Sequence, residues 1–315
     1  GTFTSNQTIT ATFKEQVIQT QAENFIVVTN PSEQALLNYP LQFGRPFLAG
    51  EISQYPQLVL NGMTLVTQAD VKQRHADDSV KHAILSAVIP KIEAGASLKI
   101  YFNNQETGRN SLKLSKAQML ESRFNFDATI KATFATSGLH QVSARTMLEQ
   151  DKFSYWLEGD VATTILVVDH SAERTFDFGS DVHRSVRPAF YATFWPSIGV
   201  VQVRFIAEVT NTESIQDQSY DLILSTGFIN PQIRHQKAGV PHQAMTRWTK
   251  LFWLGHSPLP ISIDHNLAYL AKARVTPNFD TSLKIPESTI ASEYALWLSS
   301  KSDLFEPGRW QTRMA

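Results

Sequence analysis

The chain has 315 residues, 42% of them hydrophobic and 18% charged, an ordinary globular composition with length enough for two domains with cores. A formal charge of −1 and the lack of any long basic run argue against nucleic acid or an anionic membrane as the main partner, because phosphate binding needs clustered Lys and Arg. Cysteine is absent, which excludes disulfides, thiolate metal sites and cysteine nucleophiles. A cysteine-free chain of this length fits an extracellular or periplasmic bacterial protein, though some cytosolic ones share the trait. No apolar run reaches the ~18 residues of a membrane-spanning helix. No signal peptide is visible at Gly1, so an exported form implies one removed or left out.

In chain order, the opening GTFTSNQTITATF is Thr-rich and suits a strand or an ordered tail, one that could add to the sheet of a neighbour. Phe25 to Val28, Gln57 to Leu60, Met63 to Gln68, Lys81 to Val88 and Ser97 to Phe102 read as strands. Gln105 to Ser122 reads as a linker between two β units, with the boundary near residue 110. Ser115 with Gln118 three positions on forms a capping-box pattern that opens a short helix within it. Ala162 to Val168 is a continuous apolar and Thr run, suited to a strand covered on both faces. Val201, Val203, Phe205, Ala207 and Val209 alternate with Gln202, Arg204, Ile206 and Glu208, the pattern of a half-buried antiparallel strand. Tyr220, Leu222 and Leu224 repeat it after the polar turn NTESIQDQ. Past Pro286, the positions Ile290, Tyr294, Trp297 and Leu298 recur at helical spacing. The chain is therefore expected to be all-β, with units at 1–110 and 111–285 and the start of a helical region at 286–315.

Two segments carry a family resemblance: PLQFGRPFLAGEI (Pro40 to Ile52) and TLVTQADVKQRHADDSVKHAILSAVIP (Thr64 to Pro90). They resemble the N-terminal, RIFT-related β-barrel of the exo-rhamnogalacturonan lyase (YetA-like) family. In that pattern an FG-x-PF-x-x-G turn precedes two strands joined by a D-G-S turn. Here the turn is Asp77-Asp78-Ser79, with Asp78 where Gly is usual, a residue that tolerates a left-handed backbone less well than Gly but better than most. YWLEGDVATTILV and GVVQVRFIAEVTNTE look like the antiparallel β-sandwich that follows, and TRWTKLFWLG and IDHNLAYLAKARVTPNFD like the approach to an α/α toroid. The resemblance implies the non-catalytic β-domain portion of an exported polysaccharide lyase-like protein. Its role would be scaffold and glycan-groove wall, its partners a polysaccharide and a helical domain beyond Ala315.

Three polar clusters could carry chemistry. In a hairpin turning at Ala76 to Ser79, His75 and His82 share a face and with Asp77 could ligate a divalent cation, zinc or manganese; the alternative is a solvated hairpin tip. His183, Arg184, Arg187 and Tyr191, near Asp169, His170, Glu173, Asp177 and Asp181, supply a base and a carboxylate-neutralising cation for β-elimination, or else are charges facing water. Trp195, Arg247, Trp248 and Trp253 are candidates to bind a glycan, the indoles against sugar faces and Arg247 on a carboxylate; alternatively Trp248 and Trp253 fill a seam between domains. No GxSxG, P-loop, GxGxxG or HExxH motif is present. Two other roles remain open: a self-associating structural subunit of an extracellular filament, sheath or phage appendage, and a simple sugar-binding module.

Overall fold

A computed structural model describes residues 24–210, 215–276 and 285–300. The Thr-rich opening and part of the NTESIQDQ turn lie outside the described residues. The fold is all-β with short helices. The first strands are β1 (Phe25–Thr29), β2 (Leu36–Pro46), β3 (Tyr55–Leu60), β4 (Met63–Thr64), β5 (Thr67–Arg74), β6 (Val80–Ile92) and β7 (Ser97–Gln105). After α1 (Lys116–Met119) come β8 (Ala128–Phe134), β9 (Gly138–Ser143), α2 (Ala144–Glu149), β10 (Phe153–Leu157), β11 (Thr163–Val167), β12 (Val186–Trp195) and β13 (Val200–Val209). The remainder is β14 (Gln218–Thr226), β15 (Gln232–His242), β16 (Arg247–Leu254), β17 (Ser262–Asp264), α3 (Leu267–Lys272) and α4 (Glu287–Ser300).

The first unit is two antiparallel sheets in the order β17-β1-β7-β3-β4 and β2-β6-β5. They enclose one core that includes Ile26, Val28, Leu58, Leu85, Ala87, Ile89 and Ile100. The expected barrel does not close: among the described residues no ladder joins the two sheets. Near β3 and β5 isolated bonds replace a ladder: Leu65 N–H to the Leu58 carbonyl at 2.8 Å, Leu58 N–H to Thr67 Oγ1 at 3.0 Å, and the Gln105 amide donating to the Pro56 and Thr67 carbonyls at 3.1 Å each. The FG of the motif is not a turn either. Phe43 and Gly44 lie within β2, opposite Leu85 and Ile84. The DDS turn forms as expected, with Asp78 in the left-handed region at φ 65° and the Asp77 carboxylate accepting from Ser79 N–H and Oγ.

The linker crosses between units at Gly108, where a Cβ would fall 2.6 Å from the Ala69 carbonyl and 2.7 Å from the Tyr55 ring, so only glycine passes. Ser115 and Gln118 cap α1 reciprocally. The second unit is a sandwich of β10-β11-β12-β13-β16 against β15-β14-β8-β9. Alternation on β13 sends Val201, Val203, Phe205, Ala207 and Val209 into its core, where they meet Phe190, Phe194, Leu222 and Leu224.

Chain order and spatial order part company at the end. Ser262–Lys272, placed in the second unit by the sequence, returns to the first. Ile263 pairs with Val28 on β1 and packs against the first core, and Tyr269 is fully buried. Arg45 secures this return. Its buried guanidinium donates to Asn24 Oδ1, to the Phe25 carbonyl and to the His265 carbonyl (2.6 Å), and it stacks 4.4 Å from the Tyr269 ring. Tyr269 in turn donates to Glu51 and accepts from Leu48 N–H. Burial lowers the Arg45 pKa to about 10, against the opposing pull of Tyr269 and Glu51.

The units meet through β5 and the loop before β11. Gln68, buried on β5, donates to the Glu158 carbonyl at 3.2 Å and accepts from Ala162 N–H at 2.8 Å. Val88 packs into a cluster of Val161, Ala162, Trp195, Val200, Ile198 and Trp253. Ion pairs Arg109–Asp160 and Lys113–Glu158 lie beside it.

Candidate functional site

Because side chains alternate across a strand, every residue of the β10–β16 sheet that does not enter the sandwich core lines its outer face. Antiparallel register aligns these residues in rows. One row runs Leu166, Tyr191, Arg204, Leu251. The next runs Thr164, Thr193, Gln202, Trp253; Thr164 and Thr193 are buried, their hydroxyls bonded to each other at 2.9 Å. A third end of the face carries Arg187, Glu208 and Arg247. At the usual spacing of neighbouring strands, the first row spans about 14 Å.

Trp156 completes this face. On β10 the register shifts between Tyr155 and Leu157, so Trp156 is an extra residue in a β-bulge. Phe153 and Tyr155 pack on the core, while Trp156 remains 54% exposed. Its ring stands edge-on to Tyr191, centroids 6.0 Å apart. Lys72, from β5 of the first unit, places its ammonium 5.8 Å from the same indole while pairing with Asp70 at 2.9 Å. Arg204 is exposed and makes no ion pair among the described residues. The arrangement is an aromatic floor with two cations beside it, one contributed by each unit.

Of the four glycan candidates, two lie uncovered on this face. Trp253 is half-buried in the second row, and Arg247 is exposed, paired to Glu208 at 3.4 Å. The other two are corrected. Trp195, on the same side of β12 as Tyr191 and Thr193, is 2% exposed, covered by Val161, Ala162, Val200 and Val88, and its indole N–H has no partner among the described residues. Trp248 sits in the sandwich core, donating to Tyr220 Oη at 2.8 Å. Tyr220 donates to His242 Nδ1 at 2.8 Å, and His242 Nε2–H to the Thr246 carbonyl at 3.1 Å. Burial pushes the Tyr220 hydroxyl up and the His242 imidazole down, keeping both neutral.

The β-elimination set is not gathered. Tyr191 is on the outer face. His183 and Arg184 belong to the loop before β12, where His183 N–H donates to Asp181 and Arg184 to the Glu173 carbonyl. Arg187 is turned to Asp177, which Arg174 also holds. Burial raises the Asp177 pKa despite both arginines. Asp169 organises the loop: burial would raise its pKa, but bonds from Ser171, Lys152 and Thr175 prevail and hold it far below the usual carboxylate range.

The metal set is corrected too. His75 Nε2 is engaged by the Phe47 carbonyl at 2.9 Å, Asp77 is spent on Ser79, and His82 lies against Gly44. Burial, then the Lys72 charge, lower the His82 pKa. No group of three potential ligands is assembled among the described residues. The bulge between His82 and Val80, opposite Gln73 and Arg74, breaks the diagonal pairing expected of the two histidines.

Trp156 escaped the sequence reading. Nothing in YWLEGDV marks a bulge, although the alternation of Phe153, Ser154, Tyr155 and Trp156 is regular and is the signal that could have placed the indole outward. Comparison with protein-family models, curated proteins and solved structures finds no match to the chain.

Proposed function

We propose that the outer face of the five-stranded sandwich sheet binds a saccharide chain, and that the protein is the scaffold and groove wall of an exported polysaccharide lyase-like system. The observation that carries this reading is Trp156, an exposed indole at a bulge, edge-on to Tyr191 and faced by Lys72. A flat aromatic ring matches the apolar face of a sugar, as aromatic rings combine large contact area with fixed geometry. Lys72 and the unpaired Arg204 add cations that suit carboxylates on an acidic glycan. The resemblance of the two N-terminal segments to the exo-rhamnogalacturonan lyase family points to the same substrate class. Dispersal of His183, Arg184, Arg187 and Tyr191 favours binding over turnover by that set.

The experiment is affinity electrophoresis through gels carrying acidic or neutral polysaccharides. Retardation by an acidic polysaccharide, relieved in Trp156→Ala, is the expected outcome. Equal mobility of both proteins in every gel would remove the basis for the reading.

A further inference from the structure

The geometry points to a second binding site, for a short uncharged saccharide, in the cleft where the start of β2 faces the β12–β13 turn. This site is separate from the outer face and does not depend on its function. The cleft encloses about 540 Å³ between residues 34–40, the turn at Ser197, Ile198 and Val200, and the segment 256–259 that leads into β17. Its size falls within the ~300–1,000 Å³ of small-molecule sites, and junctions between units are a favoured place for them.

Three features of the lining select the ligand. No Asp, Glu, Lys or Arg lines the cleft, so it offers no permanent counter-ion. Apolar surface is supplied from both sides, by Leu37 (63% exposed) and Leu259 (38% exposed). Polar groups are available without partners of their own: the side chains of Asn38, Tyr39 and His256 make no hydrogen bond among the described residues. Tyr39 is half-buried, its ring packed on the first core, and burial raises the pKa of its hydroxyl, which stays a neutral donor and acceptor. β2 is also an edge strand, paired among the described strands only with β6. Hydroxyls and C–H faces in alternation, with no ionised group, answer all three features. A charged sugar would lose hydration there without gaining a counter-ion.

The test is an NMR titration of the full chain with cellobiose, maltose and lactose, and with glucuronic acid as the charged comparison. At least one neutral disaccharide is expected to shift the signals of Leu37, Tyr39 and Leu259 while leaving the Trp156 indole N–H unmoved. Tyr39→Phe should weaken binding about three- to ten-fold, the weight of one neutral hydrogen bond. His256→Ala, at an exposed position that packing does not need, should weaken it similarly. Absence of any titrating signal with all three disaccharides would overturn the proposal. So would shifts centred on Trp156, affinity unchanged in both variants, or glucuronic acid binding as tightly as the neutral sugars.

Discussion

The Lys72 ammonium and the Trp156 ring centroid lie 5.8 Å apart, a cation of the first unit facing an indole of the second. An exposed pair of this kind contributes about 0.5–1 kcal/mol, too little to fix two units against each other. The relative placement must come from the buried junction next to it, and the weight falls on Gln68.

Gln68→Ala leaves the Ala162 N–H and the Glu158 carbonyl without their partner in a buried seam. The expected loss is about 1–3 kcal/mol of unfolding free energy. Gly159→Ala should lose a similar about 1–3 kcal/mol by overpacking, because its Cβ would fall 2.0 Å from the Gln68 Cδ. Combining the two removes the clash, so the double variant should lose clearly less than the sum. Urea denaturation measures all three proteins. Additivity within about 0.5 kcal/mol would mean the two sites do not share this contact.

Arg45→Lys keeps a positive charge but cannot reach Asn24, Phe25 and His265 together. Hydrogen bonds to a charged group are worth about 1.5–3 kcal/mol each, so a loss of about 2 kcal/mol or more is expected. The loss should be local first. Hydrogen exchange at Ile263, bonded to β1, should accelerate before that of Phe205 in the sandwich core. Uniform acceleration across both units would contradict a clasp confined to the first.

His242 is held neutral, accepting at Nδ1 from Tyr220 and donating at Nε2 to Thr246. Burial lowers its pKa below the ordinary 6.5, although the Thr246 bond pulls the other way. A histidine depressed in the fold contributes stability that is full above its unfolded pKa and is lost as pH falls through its folded one. His242→Gln should therefore narrow the difference in stability between pH 7.5 and pH 5 relative to the parent, measured by urea denaturation at both. An identical difference in parent and variant would show that His242 does not titrate with unfolding.

Much of the fold was legible where one face of a strand is wet. Val201 to Val209 announces β13 because Gln202, Arg204 and Glu208 face away from the core. β12 was not legible. Val186, Pro188, Ala189, Phe190, Ala192, Thr193, Phe194 and Trp195 are all buried, so its two faces read alike, and the charged loop before it suggested more loop. The return of β17 was hidden for another reason: the partners of Ile263 and Tyr269 lie more than two hundred residues earlier, and no local pattern reports a contact of that range. Among the indoles, composition could not separate Trp195 and Trp248, which are buried, from Trp156, which stays exposed at a bulge on β10.

Titration calorimetry of the parent chain and Trp156→Ala against one acidic oligosaccharide tests the binding face most directly. Loss of the indole should weaken association about ten-fold or more, equivalent to ~1.4 kcal/mol, with far-UV circular dichroism unchanged because Trp156 lies outside both cores. Association of equal strength in the two proteins would place the glycan elsewhere and leave the exposed Trp156 without a role in binding sugar.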